Sequence, residues 1–194
     1  MDNFTLNYKT NLTNVLRNLE DKKIKLLSDL IKNTSKVKKT IYICGNGGSA
    51  GNANHIANDF VYGVGGKNIV GINMISLSAN QSVITCLAND CGYENIYSEQ
   101  IKVAGKSGDL LILLSGSGNS KNIINAINIA KKMNIKTFGI FGYSGGKSKK
   151  LVDEFIHTKI NDMQISEDMQ LIISHMCMQL LKKVRNWKTQ KKNF

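Results

Sequence analysis

Two kinds of hydrophobic spacing divide the chain. Over residues 4–33, Leu6, Leu12, Val15, Leu16, Leu19, Leu26, Leu27, Leu30 and Ile31 recur in steps of three and four among polar residues. That spacing predicts one or two amphipathic helices. From Thr40 the pattern changes to short apolar runs: TIYICG (40–45), NIVGINMISLS (68–78), DLLILLS (109–115), KTFGIFG (136–142) and EFIHTKI (154–160). Such runs are rich in β-branched residues and end near glycine or serine, which suits strands buried on both faces of a parallel sheet. Helical patterns separate them at about 48–62, 80–104 and 119–133, the middle one broken near Gly92. A final amphipathic helix is expected over about 164–185, with Met169, Ile172, Ile173, Met176 and Leu180 on its apolar side.

Strands and helices alternating at this spacing predict an α/β domain around a central parallel sheet. At 194 residues the chain is one domain, 1–194, with a helical segment at about 1–36 and the closing helix at its end. There is no internal repeat, low-complexity stretch or linker. Proline is absent, so glycine, asparagine and serine must make the turns.

Composition narrows the function. No apolar run approaches the ~18 residues of a membrane span. The first residues, MDNFTLNYKT, carry no apolar signal core, so a cytoplasmic location is expected. Cys44, Cys86, Cys91 and Cys177 form no CxxC pair, which argues for idle or buried thiols and against a zinc knuckle. The formal charge of +12, from 26 basic and 14 acidic residues, favours an anionic partner: a phosphorylated metabolite, a nucleic acid or an acidic protein. Much of the excess lies in lysine groups at 22–25 and 36–39 and in Lys182, Lys183, Arg185, Lys188, Lys191 and Lys192. With no helix-turn-helix signature and the single Trp187 near the end, nucleic-acid binding is disfavoured.

Two loops carry chemistry. Cys44-Gly45-Asn46-Gly47-Gly48-Ser49-Ala50 joins the first strand to a helix. Its glycines allow close backbone approach, and the helix start offers N–H groups and a positive dipole end to a phosphate or a sugar hydroxyl. The competing reading is a tight turn with Ser49 as N-cap. Leu114-Ser115-Gly116-Ser117-Gly118-Asn119-Ser120-Lys121 follows the strand DLLILL and precedes a helix beginning near Asn119. Its hydroxyls would sit at the C-terminal end of a parallel strand, where open α/β sheets bind ligands. A serine-rich turn with a cap is the alternative. Neither loop is a dinucleotide GxGxxG or a GxxxxGK[ST] phosphate loop.

His55 and Asp59 are four apart on the helix after the first loop and share a face. On the last helix Asp168 and His175 are seven apart, with Glu167 set more obliquely. Imidazole and carboxylate together can move a proton at neutral pH or ligate a metal. The third histidine, His157, falls in an expected strand and reads as structural.

GNGGSAGNANHIANDF (45–60), LANDCGYENIYSEQ (87–100), GDLLILLSGSGNSKNIINAI (108–127) and the last helix with His175 resemble the sugar isomerase (SIS) domain family, most nearly its phosphoheptose isomerase branch. The resemblance implies a three-layer αβα sandwich with a five-stranded parallel sheet, assembled as a homotetramer with sites between subunits. It implies interconversion of sedoheptulose 7-phosphate and D-glycero-D-manno-heptose 7-phosphate, the first step toward heptose for surface polysaccharide. By the same resemblance Ser115, Gly116, Ser117 and Ser120 hold the phosphate. Asn46, Gly47, Gly48, Ser49, Asn89, Asp90 and Glu167 line the sugar site, and Asp59 and His175 are catalytic. Some members bind zinc through positions that map to His55, Asp59, Glu167 and His175, so Zn2+ is the one cofactor implied.

The chain departs from that pattern at four places. Asp59 stands where the family has glutamate, Glu167 where it has glutamine, Gly116 where it has threonine, and Gly63 where an arginine is expected. The expected chemistry is aldose–ketose isomerisation through a cis-enediol, with Asp59 as base and His175 as acid. The alternative from another class is the family's non-catalytic adaptor, which binds the replication initiator DnaA and has a similar GNGGSAGNANH loop.

Overall fold

The structure is a computed structural model describing residues 3–65 and 70–190, with side chains described through Lys183. The start of the run 68–78, the basic residues Lys191 and Lys192 and the side chains of Arg185, Trp187 and Lys188 therefore lie outside what is described.

Two helices open the chain, α1 (Phe4–Arg17) and α2 (Asp21–Lys36). The alternating part follows: β1 (Ile41–Gly45), α3 (Gly48–Asn58), β2 (Met74–Ser76), α4 (Gln81–Cys91), α5 (Ile96–Ala104), β3 (Leu110–Ser115), α6 (Lys121–Lys132), β4 (Lys136–Phe141), α7 (Ser148–Leu151) and β5 (Glu154–His157). The chain closes with α8 (Met163–Gln190). The five strands are parallel, in the order β2-β1-β3-β4-β5.

Strand alternation sorts the apolar runs into two layers. Ile41 and Ile43 of β1, Leu110, Ile112 and Leu114 of β3, and Phe138 and Ile140 of β4 face one side, against α2, α3 and α8. Tyr42, Cys44, Leu111 and Leu113 face the other, against α5 and α6. Helices on both faces of a sheet whose central strands β1 and β3 are buried throughout are the three-layer sandwich that the apolar runs and the resemblance imply.

Three expectations are corrected. The run 68–78 yields only three strand residues, because β2 is an edge strand that pairs with β1 at Met74–Ser76 alone. The helix expected to reach residue 62 is α-helical only to Asn58 and continues as a π turn over Asp59–Gly63. On α8 the inward stripe is Ile165, Met169, Ile173, Cys177 and Leu181, whereas Met176 and Leu180 are exposed. The break near Gly92 is present as expected: Gly92 has φ +86 and separates α4 from a 3-10 turn at Tyr93–Asn95.

His157 ends β5, and its Nε2 meets the Tyr143 carbonyl oxygen at 2.9 Å. Burial, with Lys149 and Lys159 nearby, holds the imidazole below its ordinary value against the pull of that carbonyl. A depressed histidine stabilises the fold in its neutral form. That contribution is whole above about pH 6.5, the unfolded value, and is lost as pH falls through the lower folded value. The urea midpoint is expected to drop between about pH 7.5 and about pH 5.5, and His157→Gln to flatten that drop. An unchanged slope in the variant would remove His157 as the cause.

Candidate active site

The sheet order sets where ligands can bind. The chain steps from β1 outward to β2, then returns to the other side of β1 with β3, so the order reverses between β1 and β3. Loops at the carboxyl ends of strands flanking such a point form a crevice. Gly45 pairs with Leu114, so the two glycine-rich loops leave the sheet side by side.

In the loop after β3, the Ser115 Oγ accepts from Gly118 N at 3.0 Å and the Ser117 Oγ accepts from Asn119 N at 3.2 Å. Each hydroxyl has accepted a backbone N–H, so each keeps its own O–H to donate to an anion. Ser120 flanks the first turn of α6 but makes no capping bond with its side chain. Gly118 has φ +65, and a Cβ there would lie 2.1 Å from the Gly145 oxygen. Only glycine lets this loop turn left-handed and rest on the next loop. Gly116 is backed by Met163, whose Sδ would lie 2.6 Å from an added Cβ. The sulfur thus fills space beside the position where the family has threonine.

In the loop after β1, Gly47 takes φ +55 and caps α3. Ser49 is not the N-cap. It is buried, and its Oγ accepts from Gln170 Nε2 of α8 at 2.9 Å. Asn52 Nδ2 donates to Gln170 Oε1 and to the Glu167 carbonyl oxygen, each at 3.0 Å. This polar seam fixes the register of α3 against α8. Gln170→Ala would leave Ser49 without its donor and Asn52 without one of its two acceptors, and is expected to cost about 1–3 kcal/mol. Urea denaturation measures it; a loss under ~0.5 kcal/mol would show that the seam is dispensable.

One turn beyond the seam the two helices bring three side chains together. His55 Nε2 of α3 lies 3.4 Å from Asp59 Oδ2, and His175 Nε2 of α8 lies 3.2 Å from the same oxygen. The two imidazole nitrogens are 3.3 Å apart. Asp59 opens the π turn, a backbone irregularity that recurs at functional sites and here aims the carboxylate between the rings. Asp59 Oδ1 has no hydrogen-bond partner among the described residues, which leaves it open to a ligand. His55 and His175 side chains are 51% and 41% exposed, so the cluster opens on the surface of the protomer.

Within one protomer, three of the four residues expected in the cluster meet. His55, Asp59 and His175 form a ligand-like group with all their donor atoms within 4.8 Å, and Glu167 is outside it. Glu167 lies eight residues before His175, roughly 12 Å along the helix axis. Its carboxylate covers Gly48 instead: a Cβ on Gly48 would lie 2.2 Å from Glu167 Oε2. The positive end of α3 favours a carboxylate there. Asp168 is likewise elsewhere, accepting the Tyr8 hydroxyl of α1, which raises the phenol to about 12 chiefly through that bond. Asn89 and Asp90 are exposed on α4 and bond to each other at 2.7 Å, not to the two loops. Cys44 and Cys177 are buried free thiols, and burial raises both.

Sequence reading missed the group behind the first loop. Asn46 meets Asn122 of α6 and the hydroxyls of Tyr93 and Tyr97. Asn122 lies among Ile123, Ala126, Ile127 and Ala130 on the buried side of α6, and a polar residue at an apolar helical position is the signal that would have found it.

The SIS domain family matches residues 6–142. The phosphoheptose isomerase of Helicobacter pylori strain P12 is 36% identical over 175 residues, covering 88% of each chain. That of Aliarcobacter butzleri is 34% identical over 163 residues, covering 83% of this chain and 82% of the other. Among solved structures, a phosphoheptose isomerase from Francisella tularensis superposes with a TM-score of 0.86 at 19% identity, covering 94% of this chain and 97% of the other. The chain belongs to the SIS domain family. Within it, the chain falls in the phosphoheptose isomerase branch and is a sugar-phosphate isomerase by class.

Proposed function

We propose that the protein interconverts sedoheptulose 7-phosphate and D-glycero-D-manno-heptose 7-phosphate in the cytoplasm, supplying heptose for surface polysaccharide. The meeting of Asp59 and His175 from separate helices, 3.2 Å apart, carries this reading. Ser115, Ser117 and Ser120, with the Gly116 backbone, would hold the phosphate, while Asn46 to Ser49, Asn89, Asp90 and Glu167 line the sugar. Asp59 Oδ1, open among the described residues, would take the proton next to the carbonyl. His175 would donate to the oxygen that gains charge, giving the enediol, and reversal at the neighbouring carbon completes the exchange.

The chemistry of the donor set fits zinc. The separations of 3.2, 3.3 and 3.4 Å between Nε2, Nε2 and Oδ2 match the ~3.3 Å edge of a tetrahedron with ~2.0–2.1 Å bonds. His55, Asp59 and His175 would be the ligands, three being the number catalytic zinc sites use, and zinc bound there would polarise the substrate oxygens in place of the proton that a metal-free His175 Nε2 would give. Assembly as a homotetramer is the companion proposal. A cluster this exposed needs a wall from a neighbour to exclude water, and α8 leaves Met176 and Leu180 exposed beside a groove of about 850 Å³ against α2.

Purified protein incubated with sedoheptulose 7-phosphate tests the reading, with and without added Zn2+ after chelation. Heptose 7-phosphate should form, and zinc should restore activity lost to the chelator. A folded protein that turns over no ketose phosphate, with or without zinc, contradicts it.

A further inference from the structure

We propose that Asn122 is a positioning residue that makes Asn46 a donor-only group at the sugar site. The inference rests on the reading above in which Asn46 lines that site. Asn122 is 1% exposed, and its amide orientation is fixed from behind. The Ile123 backbone N–H donates to Asn122 Oδ1 at 2.9 Å, and only an oxygen can accept there. Asn122 Nδ2 must then face outward, and it donates to Asn46 Oδ1 at 2.8 Å. Asn46 Nδ2 returns a bond to Asn122 Oδ1 at 2.9 Å. The Tyr93 hydroxyl also donates to Asn46 Oδ1 at 3.2 Å, whereas the Tyr97 hydroxyl, 3.3 Å from that oxygen, gives its single proton to the Gly45 carbonyl oxygen.

A carbonyl oxygen has two lone pairs, so Asn46 Oδ1 is saturated from the protein side. Nδ2 has two N–H groups and spends one on Asn122. The site therefore meets a single N–H donor and no acceptor. Asn46 can bind a carbonyl, hydroxyl or phosphate oxygen as acceptor, and it cannot take a proton from a substrate hydroxyl. Since Asn122 stands at the second position of the helix that follows the serine loop, the orientation of Asn46 is inherited from the phosphate-binding side of the crevice.

Asn122→Asp is isosteric and still accepts the Ile123 N–H, but it puts an oxygen against Asn46 Oδ1. Turning the Asn46 amide over would only exchange one oxygen–oxygen contact for another, because Asn122 Oδ1 already faces Asn46 Nδ2, so the pair is pushed apart and the Asn46 N–H leaves its place at the site. With sedoheptulose 7-phosphate as substrate, KM is expected to rise roughly tenfold to a hundredfold while kcat changes less than about threefold. Asn122→Ala serves as a second variant, and melting curves establish that each is folded. The deciding measurement is a double-mutant cycle. In an Asn46→Ala background the Asn122 substitutions should add less than about twofold to KM, because their target is gone. Equal fold-changes in both backgrounds would overturn the proposal and leave Asn122 a structural residue. Wild-type turnover separates the failures: an active wild type with an additive cycle sinks this inference alone, and an inactive wild type sinks the functional reading and this inference with it.

Discussion

Asp59→Asn is expected to lower kcat about 10²–10⁴-fold while substrate still binds. Asparagine keeps the shape of the side chain and loses the proton acceptor that sits 3.2 Å from His175 and 3.4 Å from His55. The serine loop is untouched, so calorimetric affinity for sedoheptulose 7-phosphate should stay within about fivefold. His55→Ala divides the account further. If His55 only helps to hold a metal, chelated wild type and His55→Ala should be equally slow, and added zinc should rescue only the wild type. Should Asp59→Asn keep more than about a tenth of wild-type kcat, Asp59 is not the base. The restored length of Asp59→Glu, the family residue, is a useful companion, since a misplacement near ~1 Å can cost roughly 100-fold. The π turn suits the shorter side chain here, so Asp59→Glu is expected to slow the enzyme.

Gly118→Ala should be the most damaging change in the phosphate loop. The added Cβ would lie 2.1 Å from the Gly145 oxygen and 2.5 Å from its carbon, both main-chain atoms that cannot rotate away. The φ of +65 adds backbone strain for any L side chain. We expect a stability loss of about 1–3 kcal/mol and a KM raised at least about tenfold. Gly116→Ala is the contrast. Its Cβ meets the Sδ and Cε of Met163, the far end of a flexible side chain, which can move aside. It should cost less than about 1 kcal/mol and leave KM nearly unchanged. Equal damage from both substitutions would mean that glycine matters here for some reason other than the seat on the 145–146 loop.

The layers of the fold were legible because apolar runs and steps of three and four are direct consequences of burial. The two loops were legible for the same reason: each is the place where an apolar run stops. What escaped depends on neighbours distant in sequence. Met176 and Leu180 fit the helical period as well as Cys177 and Leu181 do, and only the placement of α2 and α3 decides which pair turns inward. The π turn at Asp59–Gly63 has no periodic signature, since one extra residue per turn looks like ordinary helix. Glu167 was grouped with His175 by resemblance, but eight residues of helix carry it to the start of α3. The meeting of His55, Asp59 and His175 depends on a helix register set by Ser49, Asn52 and Gln170, three polar residues that show no pattern in a linear reading.

The central claim is that an open carboxylate oxygen and an imidazole from two helices exchange a carbon-bound hydrogen of a phosphosugar. Running the reaction in D2O with sedoheptulose 7-phosphate and following the product by proton NMR tests it most directly. The account predicts heptose 7-phosphate carrying deuterium at C2, with Asp59→Asn abolishing both conversion and label. Product whose C2 carries protium brought over from C1 of the ketose, or conversion that survives Asp59→Asn undiminished, would contradict it.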